Sequence, residues 1–332
     1  MADTFYQTKI SGTGHYLPPK LLTNKDLEKL VETTDEWITE RTGIKERHIA
    51  DESQASSDLA YEAAKIAIKE AGLTPEDIDC IIFPTVTPDH VMPSSACLLQ
   101  EKLGAKNCMA FDLTAACSGF IYAMSIAHSF IQTGHYKHVL CIGSEVLSKF
   151  VDYTDRGVCI LFGDGSAAAV LSRAEEGEES KIYSRHCYAE GAHGKLLYLP
   201  MGGSAIRPSH EAIEANQHTV EMNGREIFRN AVRTMGKAAQ TTLETNGMTK
   251  EDVDWFIPHQ ANARIIEAVA KHIDFPMEKV IVELADIGNT SAATIPIAMD
   301  RAIRDGRIKR GQNILLAAFG GGLTSGGLLL KY

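Results

Sequence analysis

Three short strings hold residue types suited to nucleophilic chemistry: DLTAACSGF at 112–120, IPHQANARI at 257–265 and GNTSAA at 288–293. Cys117 lies where the strand-like run CMAFDL gives way to the helix-like SGFIYAMSIAHSF. Free N–H groups and the dipole at a helix N-terminus favour negative charge, and a thiolate is the charge this position offers. That effect reaches about 2 kcal/mol, enough to bring a thiol from about 8.5 to near 7. Ala115, Ala116, Ser118 and Gly119 leave room for a substrate to reach the sulfur. His259 follows a β-rich run by one proline, and Asn289 precedes a small-residue helix as Cys117 does. FGGG at 319–322 adds consecutive glycines, which let backbone N–H groups approach a ligand closely. Taken singly, each residue also fits a structural role: a capping cysteine, a satisfied histidine, a helix-capping asparagine and a tight turn.

The elements that must bring these strings together are legible as a duplication. GLTPEDIDCII at 72–82 and GMTKEDVDWFI at 247–257 match at an offset of 247 − 72 = 175 residues. TGHYKHVLCIGSE at 133–145 and DGRIKRGQNILLAAFGGG at 305–322 each run from a helix-ending glycine through basic residues into an apolar strand. Helical periodicity alternates with short β-rich runs, which predicts an α/β chain with helix-covered sheets. Helices are expected over 57–71 and 94–103, strands over 80–84 and 108–113, and a further helix from Ser118 with Phe120, Ala123, Met124, Ala127, Phe130 and Ile131 on one face. The polar run RAEEGEES at 173–180 divides the halves, giving an N-terminal half 1–175 and a C-terminal half 176–332. Residues 185–220 lack steady periodicity and are expected to form a lid or tunnel wall.

Composition narrows the function further. The 43 acidic residues outnumber the 33 basic ones, a net charge of −10 that disfavours a nucleic-acid partner. MADTFYQTKISGTG does not read as a signal peptide and the longest apolar tract is broken by glycines, so no membrane association and a cytoplasmic location are expected. Seven cysteines, none closer than nine residues apart, form neither a redox pair nor a zinc cluster. Arg225, Arg229, Arg233 and Lys237 recur every four residues on one helix face, and Arg264 and Lys271 lie seven apart on another. Such local basic surface would steer an acidic partner, although an ordinary solvated helix face has the same pattern.

With DEWITERTGI at 35–44 and TDRGV at 154–158, the ordered set of strings resembles the β-ketoacyl-acyl carrier protein synthase III family over nearly the whole chain. The resemblance implies a thiolase-like fold, two pseudo-symmetric halves in a five-layered αβαβα architecture. It implies an acyltransferase that condenses an acyl-coenzyme A primer, most simply acetyl, with malonyl-acyl carrier protein and releases carbon dioxide, starting fatty acid synthesis. Cys117 would carry the acyl group, His259 and Asn289 would bind the malonyl thioester carbonyl, and the N–H groups of Cys117 and Gly321 would form the oxyanion hole. Trp37 and Arg156 would sandwich the adenine of coenzyme A with Arg41 beside it, and Asn262 would position the pantetheine arm or a water. Arg229, Arg264 and Lys271 would meet acyl carrier protein. Met92, across a homodimer interface, would limit the acyl pocket. Coenzyme A enters as a substrate thioester, and neither a metal nor a redox cofactor is implied. The nearest alternative is a related condensing enzyme of secondary metabolism; a biosynthetic thiolase would need a second cysteine, and none follows Cys187. A non-catalytic cysteine sensor or carrier-binding module would need neither His259 nor Asn289.

Overall fold

The computed structural model describes residues 5–332. The first half contributes β1 (Thr8–Tyr16), α1 (Asp35–Thr42), α2 (Ser56–Glu70), β2 (Cys80–Pro84), α3 (Ser95–Leu103), β3 (Met109–Leu113), α4 (Gly119–Gln132), β4 (His138–Val146) and β5 (Asp164–Arg173). The second contributes β6 (Lys181–Ala189), α5 (Gly224–Thr245), β7 (Trp255–Pro258), α6 (Ala263–His272), α7 (Thr294–Arg304), β8 (Asn313–Gly320) and β9 (Thr324–Lys331). The two sheets share one plan. Strand order β1-β5-β4-β2-β3 in the first answers to β6-β9-β8-β7 in the second, where an isolated parallel bridge from Phe256 to Val280 stands in for the fifth strand. β2 pairs in parallel with β3 and β4, as β7 does with β8, while the remaining pairs are antiparallel.

Both faces of each sheet are covered. α2 and α3 lie on the outer face of the first sheet, α5 and α6 on that of the second, and α4 and α7 fill the space between the sheets. This is the five-layered αβαβα arrangement. It explains why β2, β4 and β8 read as continuous apolar runs rather than alternating ones. In α4 the side chains of Phe120, Ile121, Ala123, Met124, Ala127 and Ile131 are fully buried. Each large apolar residue among them contributes about 1.5–3 kcal/mol by leaving water. Among the described residues, no helix is long and apolar enough to cross a membrane.

The offset of the sequence repeat reappears in the backbone. Single-turn 3₁₀ segments, Ala116–Ser118 and Ser291–Ala293, precede α4 and α7, with 291 − 116 = 175 and 294 − 119 = 175. Each turn opens on a non-glycine residue in the left-handed region, Ala116 at φ 45° and Ser291 at φ 49°. Such backbone costs on the order of 1–3 kcal/mol and persists where the surroundings over-determine it. Two sequence expectations need correction. The last helix of the first half begins at Gly119, one residue late, because Cys117 and Ser118 belong to the preceding turn. Residues 185–189 are not part of an irregular segment but complete β6, and the rest of 185–220 contains a 3₁₀ segment, a short helix at His210–Glu214 and a two-residue strand at Leu197–Tyr198. The strand escaped notice because its half-exposed residues do not alternate.

The turn before α7 rests directly on β4: a Cβ at Gly143 would lie 2.5 Å from the Ala292 carbonyl oxygen and 2.7 Å from its carbon. Both obstacles are backbone, so neither can rotate away. Gly143→Ala is therefore expected to destabilise the protein by about 1–3 kcal/mol; a urea unfolding midpoint unchanged from wild type would show that the two halves are not packed this tightly.

Candidate active site

Cys117 sits in the turn between β3 and α4, 6 % exposed. The next-but-one residue must be small, since a Cβ at Gly119 would lie 2.7 Å from that of Pro84. Opposite, the glycine turn after β8 closes on the same backbone: a Cβ at Gly320 would stand 2.6 Å from Cys117 N. Gly321 follows, lining the smaller of two cavities that meet at Cys117.

His259 caps the end of β7, where its backbone N–H donates to Ala317 O at 2.8 Å. The neighbouring Gln260, fully buried, pins this strand end by donating to Pro258 O at 2.6 Å and Ile281 O at 3.1 Å while accepting from Glu283 N at 2.8 Å. The His259 ring is buried, and its Nδ1 lies 2.6 Å from Thr294 Oγ1. Asn289 is held at both backbone groups, its N–H donating to Leu161 O and its carbonyl accepting from Gly163 N. Its side-chain Oδ1 accepts from Ser291 N at 2.9 Å. With the oxygen so engaged, the amide NH₂ is the free end of the carboxamide, a donor and not an acceptor.

Cys117, His259 and Asn289 line one cavity of about 340 Å³, together with Trp37, Arg41, Asn262 and Arg264. That volume falls within the range typical of small-molecule sites. A second cavity of about 100 Å³ opens on the other side of Cys117, walled by Val86, Thr87, Leu147, Phe150, Leu199 and Val220. Leu197, from the segment read as a lid or tunnel wall, lines both.

The electrostatics differ from the sequence expectation. The helix terminus alone predicts a thiol near 7, but burial pushes the Cys117 thiol up to about 12, and the Glu145 carboxylate adds to the rise. The Ser291 hydroxyl acts in the opposite sense. Loss of water outweighs the dipole because the sulfur is enclosed by side chains from distant parts of the chain, such as Phe162 and Leu197. Burial pushes His259 down to about 3, so its imidazole is neutral and has a single N–H. Glu145 is fully buried and pushed up by burial to about 7, although Thr87 Oγ1 at 2.7 Å, Thr85 Oγ1 at 3.1 Å and the N–H groups of Val86 and Thr87 all donate to it. Sequence reasoning missed this carboxylate, which ties the wall of the small cavity to β4; the charged residue inside the apolar string CIGSEVL was the signal.

At the cavity mouth, the guanidinium carbons of Arg41 and Arg156 each lie 4.6 Å from the centre of the Trp37 ring. A base sandwiched between Trp37 and Arg156 needs about 7 Å, two van der Waals layers. The slot is therefore closed, with Arg156 Nη1 donating to Glu32 O at 2.9 Å. Asn262 also differs from expectation: its Oδ1 caps α6 at Arg264 N and its Nδ2 donates to Arg41 O at 3.1 Å, so it fastens α6 to α1. Arg264 lines the cavity mouth and donates through Nε to Glu40 O at 3.0 Å. Arg229 is exposed and paired with Glu226, Arg233 is paired with Glu190, and Lys271 is exposed. Met92 is 85 % exposed and lines neither cavity of its own chain. Among the described residues, no group of three or more His, Cys, Asp or Glu is arranged to hold a metal ion.

Comparison with known proteins agrees with this geometry. Residues 111–191 match the family described as 3-oxoacyl-[acyl-carrier-protein (ACP)] synthase III, and residues 243–332 match its C-terminal family. The chain is 54% identical over 323 residues to the beta-ketoacyl-[acyl-carrier-protein] synthase III of Caldanaerobacter subterraneus subsp. tengcongensis, covering 97% of each chain. The crystal structure of 3-oxoacyl-[acyl-carrier-protein] synthase III from Aquifex aeolicus VF5 superposes with a TM-score of 0.91 at 51% identity, covering 98% of this chain and all of that one. The priming β-ketosynthase of the R1128 polyketide biosynthetic pathway also superposes at 0.91, with 32% identity over 100% of this chain and 98% of that one.

Because a raised thiol pKa leaves little thiolate at neutral pH, alkylation of Cys117 by iodoacetamide in the free protein is expected to speed up about tenfold per pH unit from 7 to 9. A rate that levels off below pH 8 would contradict burial as the dominant influence on this sulfur.

Proposed function

Because the chain belongs to the 3-oxoacyl-[acyl-carrier-protein] synthase III family, a family of acyltransferases that start fatty acid synthesis, we propose that Cys117, His259 and Asn289 are its catalytic residues. The observation that carries the assignment is the single cavity running from Trp37 and Arg41 at its mouth to all three side chains.

In the first half-reaction the Cys117 sulfur attacks the carbonyl carbon of acyl-coenzyme A. Negative charge gathers on the carbonyl oxygen, and the N–H groups of Cys117 and Gly321 are the donors placed to receive it, each worth about 3–4 kcal/mol in a dry site. The carbon–sulfur bond to coenzyme A then breaks, coenzyme A leaves as its thiol, and the acyl group remains on Cys117 with its chain in the small cavity. In the second, malonyl-acyl carrier protein enters by the same mouth. The neutral imidazole of His259 and the NH₂ of Asn289 donate to its thioester carbonyl, so the electrons released when carbon dioxide departs collect on an oxygen that already has two donors. The resulting carbanion attacks the acyl-Cys117 carbonyl, the sulfur leaves, and 3-oxoacyl-acyl carrier protein is the product. The family's chemistry needs no metal or redox group. In this reading residues 1–175 supply the nucleophile and residues 176–332 the two donors.

Coenzyme A binding requires Arg156 to swing off Trp37 so that the adenine takes its place, with Arg41 beside the ring. Asn262 keeps α1 and α6 together under the pantetheine arm. Arg264 at the mouth, with Arg229 and Lys271 farther out, forms the basic surface offered to acidic acyl carrier protein. A cytoplasmic homodimer completes the reading, the exposed Met92 of one protomer closing the acyl pocket of the other. Identity of 51–54% to fatty acid enzymes, against 32% to the polyketide priming enzyme, favours primary metabolism.

The half-reactions separate the roles. With labelled acetyl-coenzyme A, Cys117→Ala is expected to take up no label, whereas His259→Ala and Asn289→Ala become labelled yet condense with malonyl-acyl carrier protein at least about 10²-fold more slowly. Wild-type condensation by the Cys117→Ala variant would end the proposal. The small cavity holds roughly three water-sized groups at about 30 Å³ each, so two- to four-carbon primers are expected to turn over at least about tenfold faster than octanoyl-coenzyme A. Equal turnover across that series would show that the small cavity does not hold the acyl chain.

A further inference from the structure

We propose that Thr294 is the positioning residue that puts the proton of His259 on Nε2, the nitrogen turned to the cavity. The inference rests on the reading of His259 as a hydrogen-bond donor to the thioester carbonyl.

A neutral imidazole carries one proton and can donate from one nitrogen only. To donate into the cavity, His259 must hold that proton on Nε2, and Nδ1 must then accept. The atom at Nδ1 is Thr294 Oγ1, 2.6 Å away, with both side chains buried. A hydroxyl also has one proton, and here two acceptors compete for it: His259 Nδ1 at 2.6 Å and Ser291 O at 3.0 Å. If the hydroxyl donates to Ser291 O, its oxygen accepts from Nδ1–H and Nε2 is left bare, the wrong tautomer for the reaction.

Two features decide between these states. The Ser291 carbonyl already accepts the backbone N–H of Thr294 itself, as the closing bond of the turn before α7, so it loses little when the hydroxyl turns away. Nδ1, by contrast, is buried against this one oxygen and must either donate to it or accept from it. The shorter contact and the otherwise satisfied competitor both direct the hydroxyl proton to Nδ1. Thr294 thus serves the ring as a second-layer partner serves a metal-bound histidine, fixing the tautomer by bonding to the other nitrogen. The position is also tied to the donor pair: Thr294 is the first residue of α7, in the turn whose N–H at Ser291 orients Asn289. One backbone segment therefore sets the direction of both donors.

The test compares Thr294→Val, which keeps the shape and removes the hydroxyl, with Thr294→Ser, which keeps the hydroxyl. ¹⁵N spectra of protein labelled at both histidine ring nitrogens, with the His259 signals identified by their loss in His259→Gln, report which nitrogen carries the proton. Wild type and Thr294→Ser should show Nε2 protonated, and Thr294→Val should shift the proton toward Nδ1. In the half-reactions, Thr294→Val should form the acyl-enzyme within about twofold of wild type but condense with malonyl-acyl carrier protein about 10²-fold more slowly, and Thr294→Ser should recover condensation to within about threefold. A proton on Nδ1 in the wild type, or wild-type condensation by Thr294→Val, overturns the inference. If His259→Gln abolishes condensation while Thr294→Val does not, only the role of Thr294 fails; if His259→Gln condenses normally, the reading of the whole site fails with it.

Discussion

The structure depends on two backbone turns being pressed against two strands with no side chain between them. A Cβ at Gly143 would strike the Ala292 carbonyl, and one at Gly320 would strike Cys117 N. Each contact joins a strand of one half to the turn that opens the central helix of the other half. Glycine is the only residue that permits this approach, and the approach is what turns two separate βα units into one site. Left-handed φ angles at Ala116 and Ser291 follow from the same constraint. The chain has no space to round the corner more gently, and the packing of α4 and α7 between two sheets supplies the energy to hold it.

The same burial dictates the chemistry. A site enclosed by α4, α7 and the strand ends excludes water, which raises the Cys117 thiol and holds the His259 imidazole neutral. These are opposite charges suppressed by one cause. A dry site makes an isolated ion costly but makes each fixed donor worth more against charge that develops during reaction. The site accordingly offers N–H groups rather than cations: two backbone donors near Cys117, a carboxamide whose oxygen is already bonded, and a neutral ring. The charged residues Arg41, Arg156 and Arg264 stay at the mouth, where solvent still reaches them.

Much of this was legible in the sequence, for reasons that separate what was read from what was not. Strand 80–84 and the face of α4 were readable because each is an unbroken or periodic apolar pattern whose burial is decided locally. The 175-residue offset carried through to the start of α4 and α7 because turn and helix were duplicated together. The charge state of Cys117 was misread because the dipole effect belongs to its own helix, whereas the opposing desolvation comes from Phe162, Leu197 and Glu145, none adjacent in sequence. The stacking of Arg156 on Trp37 joins residues more than a hundred positions apart, and nothing in TDRGV states where that guanidinium rests. Thr294 lies five residues beyond Asn289, inside a string already singled out, but its value comes from the ring of His259 on another strand.

The duplication also explains how one scaffold provides two unlike functions. At the shared offset Cys117 corresponds to Ala292 and Asn289 to Thr114, so each turn keeps a polar residue where the other has a small or neutral one. Two nucleophilic turns would set two thiols against each other across a contact too close for both acyl groups. Two donor turns would hold a thioester with nothing to attack. Because the turns face each other across the pseudo-symmetry axis, dividing the work between them puts the acyl carbon and the carbanion on opposite sides of a single bound carbonyl. The geometry that glycine made possible becomes useful only once the two halves have ceased to be alike at these positions.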